Sequence, residues 1–116
     1  MRAGQGLALS PRINNTSWLE YAGVNFGTGA KSVAARMASA LSGTNLGTIN
    51  FRLDSLTATP FASVTVNGTG GWQNWVTSPT VNTSPAPSGT HTLYVTFASP
   101  QSGNFVNVNW YLFTLS

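Results

Sequence analysis

Cysteine is absent from this chain and acidic residues nearly so: 116 residues include two acids, Glu20 and Asp54. Without cysteine there is no disulfide framework and no thiol chemistry, and the redox compartment is left open. Histidine is equally scarce, His91 being the single one. These counts narrow the chemistry. Glycoside hydrolysis ordinarily needs two carboxyl groups flanking the scissile bond, and here both acids lie within strand-like stretches, where each reads as a structural partner for an arginine. A Ser-His-acid triad would have to recruit His91, which follows Gly89-Thr90 at the opening of a strand, and there is no Gly-x-Ser-x-Gly elbow. A zinc site lacks its ligands. The chain does not read as an enzyme.

Positive charge is thin as well. Arg2, Arg12, Lys31, Arg36 and Arg52 are dispersed, so the net charge of +3 reflects missing acids rather than a basic surface. Nucleic-acid binders cluster Lys and Arg to displace counterions from phosphates, and no such cluster exists. No apolar run approaches a bilayer-spanning length, and the first six residues lack the long apolar stretch of a signal peptide. Neither a nucleic acid nor a membrane is expected as partner.

What the chain does have is 4 Trp, 3 Tyr and 6 Phe set among Ser, Thr, Asn, Gln and Gly. Uncharged polar groups that both donate and accept, together with flat aromatic rings, suit a neutral, hydroxyl-rich partner. A secreted β protein with an ordinary Ser/Thr/Asn surface has the same composition.

Thr, Val, Ser, Asn, Gly and aromatic residues disfavour helix interiors. The best helix candidate is 31–41, for its alanines, although it reads equally as a strand with Val33, Ala35 and Met37 on one side. Elsewhere period-two alternation is plain. Leu19 and Tyr21 alternate with Trp18 and Glu20. Ile49, Phe51 and Leu53 alternate with Asn50 and Arg52. Val64 alternates with Thr65, and Leu93, Val95 and Phe97 with Thr92, Tyr94 and Thr96. In the last strand Val106, Val108, Trp110 and Leu112 oppose Asn107, Asn109 and Tyr111. The gaps between are rich in Gly, Ser, Asn and Pro, as turns require. Short strands at regular spacing indicate an all-β fold, a β-sandwich, in one domain over 1–116, with 1–12 an irregular N-terminal segment.

Two clusters carry the functional reading. In Thr69-Gly70-Gly71-Trp72-Gln73-Asn74-Trp75 the two tryptophans are three apart, so a regular strand sends them to opposite faces, one to the core and one to the surface. An exposed indole marks a binding surface and suits the C–H face of a pyranose; two core tryptophans are the bland alternative. In Asn107-Val108-Asn109-Trp110 the two asparagines share a face, and asparagine is depleted in strands. Their amides match the two-way character of sugar hydroxyls, though they also suit an ordinary sheet surface.

At this point a resemblance enters. Ser17-Trp18-Leu19-Glu20-Tyr21 with Val24-Asn25-Phe26-Gly27, then Ala35-Arg36-Met37-Ala38-Ser39, then 47–54, 69–75, 89–97 and 105–113 are similar to successive segments of family 6 carbohydrate-binding modules, in family order across about residues 13–113. The resemblance implies a sandwich of jelly-roll type, a secreted module appended to wall-degrading hydrolases such as xylanases, and a non-catalytic site in the loops at one end. There the family stacks a sugar between two aromatics and fixes it with an asparagine. Trp72 matches the aromatic of the glycine-rich loop and Asn107 the asparagine of the last strand. The second aromatic aligns with Arg12, whose guanidinium could lie over a sugar or donate to it; Trp18 is the other candidate.

The family also begins with a strand whose paired glutamates help hold a structural calcium. This sequence starts beyond that point, and the last-strand position often held by aspartate is Asn109. Calcium favours several oxygen ligands with carboxylates among them, so no cofactor is expected. A missing first strand leaves a sheet edge to be covered by 1–12 or by a second copy of the chain. The expected ligand is a β-linked plant polysaccharide such as xylan or β-glucan, and the alternative is a structural or adhesive sandwich without glycan affinity.

Overall fold

The computed structural model describes residues 2–3, 18–100 and 103–115. Among these residues nine strands run in order: β1 (Arg2–Ala3), β2 (Trp18–Asn25), β3 (Ala30–Ser39), β4 (Gly47–Leu53), β5 (Ala62–Val66), β6 (Gly71–Thr77), β7 (Val81–Asn82), β8 (Thr90–Ala98) and β9 (Asn107–Leu115). There is no helix among the described residues. One antiparallel sheet has the order β1-β9-β3-β6, with β7 also on β3, and the other has the order β2-β8-β4-β5. The alanine-rich stretch resolves as the strand β3. It is the central strand of its sheet, and its Val33, Ala35 and Met37 enter the core, so burial overrides the helix propensity of alanine.

The core lies between the sheets. Ile49 and Phe51 from β4, Leu93, Val95 and Phe97 from β8, and Val64 and Val66 from β5 supply one side, on the alternation read from the sequence. In β9 that alternation is broken. Val106 and Val108 are buried as expected, but the next core residues are Tyr111 and Phe113 rather than Leu112. The reason is a bulge: Met37 pairs with Val108 and Arg36 with Trp110, so one extra residue of β9 switches the face presented to the core. Phe51 packs edge-on against Tyr111 at 5.3 Å, and Phe26 against Phe113 at 5.2 Å, an arrangement that aromatic quadrupoles favour. Tyr21 and Tyr111 bury their hydroxyls as well, and burial pushes both phenols above the ordinary tyrosine range.

β1 meets the outer edge of β9, with Arg2 opposite Leu112 and Ala3 opposite Tyr111. Arg12 lies outside the described residues.

Strand direction gathers one set of strand ends. Trp18 at the start of β2 pairs with Thr96 near the end of β8, Thr48 near the start of β4 pairs with Ala98, and Gly47 pairs with Val66 at the end of β5. In the other sheet Ala38 near the end of β3 pairs with Asn107 at the start of β9, and Ser39 pairs with Gly71 at the start of β6. Hydrogen bonds from Thr69 to Ser39 and from Gly68 to Gly43 join the two groups into one end of the sandwich.

Candidate functional site

The site end is built on the glycine-rich segment between β5 and β6. A Cβ at Gly68 would press into the carbonyl of Leu41, and Gly70 has φ +93°, a left-handed conformation that glycine adopts at little cost. The turn is tied down on both sides. The Ser39 amide donates to Thr69 Oγ1 at 2.9 Å, Thr69 N donates to Ser39 O at 2.9 Å, and Asn74 Nδ2 donates back to the Thr69 carbonyl. β6 then bulges widely, because Met37 pairs with Val76 whereas Ser39 pairs with Gly71. The segment 72–75 is thrown out of the regular ladder. The prediction that Trp72 and Trp75 divide between core and surface fails for this reason. Both are half-buried and neither joins the core cluster.

β3 lies between β6 and β9, yet at its end the two outer strands communicate directly. Asn107 Nδ2 donates to the backbone carbonyl of Trp72 at 2.7 Å. Asn107 is only 9% exposed, and its Oδ1 is buried without a partner. An unpaired buried acceptor costs about 1–3 kcal/mol. Trp72 and Asn107, 35 positions apart in sequence, are thus in contact through this bond.

The other candidates are placed differently. Trp18 is 50% exposed at the same end of the molecule but on the outward face of the opposite sheet, its ring 6.2 Å from that of Tyr94. Asn109 Oδ1 accepts from Arg36 Nη1 at 3.3 Å, and the Arg36 guanidinium lies 5.9 Å from the centre of the Trp75 ring. A cation already beside that oxygen opposes a divalent ion there, and Glu20 and Asp54 both belong to the other sheet or its loops. Among the described residues no three His, Asp or Glu side chains come together as they would around a metal ion.

Asp54 departs from its expected pairing with arginine. Asp54 sits just past β4 with φ +66°. Its Oδ2 accepts from His91 Nδ1 at 2.9 Å and its Oδ1 from the Thr92 amide at 3.3 Å. Arg52, the nearest arginine in sequence, instead donates to Thr96 Oγ1 and to the Ala58 carbonyl. The alternation of β4 placed Arg52 on the outward face, where Thr96 of the neighbouring strand meets it; the left-handed turn at Asp54 carries the carboxylate away toward β8. Nothing in the sequence signalled the His91–Asp54 pair beyond the two residues' rarity.

Comparison with known proteins follows this geometry. Residues 6–115 match the family described as "Carbohydrate binding module (family 6)". The chain is 35% identical over 104 residues to an arabinoxylan arabinofuranohydrolase of Paenibacillus polymyxa, covering 88% of this chain and 15% of that protein; it therefore spans a small part of that relative's length. Among solved structures, a family 6 carbohydrate-binding module from Clostridium cellulolyticum in complex with xylose superposes with a TM-score of 0.77 at 36% identity, over 88% of this chain and 74% of that one. A β-1,3-glucan-binding module of the same family from Bacillus halodurans gives 0.78 at 37% identity, over 88% of this chain and 72% of that one.

Proposed function

The chain belongs to family 6 of the carbohydrate-binding modules, and from that premise we propose that it binds a β-linked plant polysaccharide, xylan or a β-glucan, at the Trp72 end and without catalysing a reaction. The carrying observation is that the side-chain amide of Asn107 donates to the backbone carbonyl of Trp72, whose indole is half-buried at the same end of the sandwich. In this reading the exposed part of the Trp72 ring stacks on the C–H face of one sugar, worth about 1–3 kcal/mol by analogy with base stacking on aromatics. Asn107 does two things. Nδ2 ties the Trp72 backbone in place, and Oδ1 is the acceptor for a sugar hydroxyl, which reaches it when the rim of the site gives way on binding. Arg12, which the resemblance aligns with the family's second aromatic, is proposed as a further sugar-binding residue. Trp18, facing outward on the other sheet, contacts the same polysaccharide separately.

Xylose and β-1,3-glucan are what the compared modules bind, and the arabinoxylan-hydrolysing relative is several times longer than this chain. Both support an exported module that holds a larger enzyme on its wall substrate, where weak sites act by avidity. The test is a titration of xylo-, laminari- and cello-oligosaccharides followed by tryptophan fluorescence. A saturable change that Trp72→Ala weakens by about 10- to 100-fold, and Trp18→Ala by much less, is expected. Silence toward all three glycans would favour a structural or adhesive sandwich, and release of reducing sugar would point to an enzyme.

A further inference from the structure

The three strands that bring Trp72 and Asn107 together carry a second cluster further along, which the glycan reading does not use. Val33, Ala35 and Met37 of β3 point into the core, so Arg36 between them points outward. Asn109 is the extra residue of the β9 bulge, between Val108, which pairs with Met37, and Trp110, which pairs with Arg36. Its Oδ1 accepts from Arg36 Nη1 at 3.3 Å, and the Arg36 guanidinium carbon lies 5.9 Å from the centre of the Trp75 ring in β6. We propose that Arg36 is a subsite for the carboxylate of a uronic acid, a sugar whose ring carries an acid group, borne as a branch on the polysaccharide held at Trp72. The assignment rests on the glycan reading of that end and adds the class of branch that the polysaccharide carries.

Arginine keeps its charge at ordinary pH and offers five N–H donors in one plane. Among the described residues one of these donors is in use, to Asn109, and a cation–π contact consumes none. Among the same residues no carboxylate answers the charge. The ion pair found there joins His91 to Asp54, and Glu20, the other acid, belongs to β2 in the other sheet. Arg36, Trp75 and Asn109 are each half-buried, so the cation is partly withdrawn from water yet open to a ligand. There a charge-assisted bond is stronger than on a freely solvated side chain. A long side chain already held between a ring and an amide also loses less rotamer freedom on binding.

These features select the ligand. A carboxylate presents two coplanar oxygens that a guanidinium fork meets with two parallel N–H bonds. One arginine balances one negative charge, so a doubly charged phosphate would keep a charge unpaired. A neutral hydroxyl accepts a single bond and leaves the cation unanswered. The position favours an acid attached to a sugar over a free one. Asn107 and Asn109 are separated by at most about 7 Å of extended strand, a span that a branch on a sugar at Trp72 crosses. Attachment to a chain already bound raises the effective concentration of the acid at Arg36.

The experiment titrates the chain with a xylo-oligosaccharide carrying one glucuronic acid branch and with the same oligosaccharide lacking it, by calorimetry at two ionic strengths. The branched ligand should bind about fivefold to tenfold more tightly at low salt, with the ratio shrinking as salt rises. Arg36→Gln should bring the ratio close to one. Asn109→Asp, which offers the same guanidinium a carboxylate from within the chain, should do so too while retaining the arginine, and so guards against a folding defect in the first variant. Lys31→Gln, which removes an equal charge from an exposed position on β3, should leave the ratio as it is. Equal affinities for the two ligands with the unaltered chain would overturn the proposal and leave the glycan reading standing. So would a ratio that survives Arg36→Gln or falls equally in Lys31→Gln. Absence of binding by either ligand would remove the glycan reading and the proposal with it.

Discussion

The two ends of the sandwich are closed by loops from the same two sheets, yet they hold their exposed groups by different means. At the Trp72 end a bulged strand and a glycine turn are tied to β3 by backbone and hydroxyl bonds, and an amide from β9 crosses the end of β3 to reach a backbone carbonyl. At the His91 end proline, leucine and phenylalanine make up most of the walls, with Thr59, Ser88 and His91 among them, and His91 is paired with Asp54. The contrast teaches that a sheet pair can be polar and adaptable at one rim and apolar at the other, because the core between them carries the stability and leaves both rims free to specialise.

Three substitutions would break or sharpen this contrast. The largest effect belongs to neither end. Phe51 is fully buried and packs against Tyr111, Phe113 and Phe61. Phe51→Ala should cost about 3–5 kcal/mol in chemical denaturation, with both ends loosening in one transition; separate transitions would mean that the ends are not supported by a common core. Next comes Asn107→Ala, which removes the bond to the Trp72 carbonyl. A loss of about 1–3 kcal/mol is expected, with altered tryptophan emission in the ligand-free chain and no change in the His91 ring resonances. Shifts at His91 would instead reveal coupling across the molecule. Smallest is Asp54→Asn. The pair with His91 is largely solvent-exposed, so a stability change of about 0.2–1 kcal/mol that shrinks with salt is expected. Denaturation at two ionic strengths checks it, and a salt-independent loss would show that backbone geometry, not charge, holds the corner.

Much of the fold was legible in the sequence. The alternation of β4 and β8 predicted their core faces correctly, because a straight strand has a period of two and one face is dry. Where strands bulge the rule fails: Leu112 yields its place to Tyr111 and Phe113, and neither tryptophan of β6 joins the core. A bulge is set by how a strand fits its neighbours, and no local residue pattern in β9 announced it. Trp72 and Asn107 stood out individually, as an aromatic beside glycines and an asparagine within a strand. Their nearness was implied by the family resemblance alone; no local pattern signalled it, since the bond joins strands separated by β3.

Composition and alternation together pointed to the all-β architecture, and the lack of cysteine left no thiol chemistry, for such properties depend on which side chains exist and how they alternate along the chain. Which face a bulged strand turns inward, which amide reaches the Trp72 carbonyl, and that Asp54 takes a histidine rather than an arginine depend on distances across sheets. Those distances arise when segments far apart in the chain are packed together, and neighbouring residues carry no record of them.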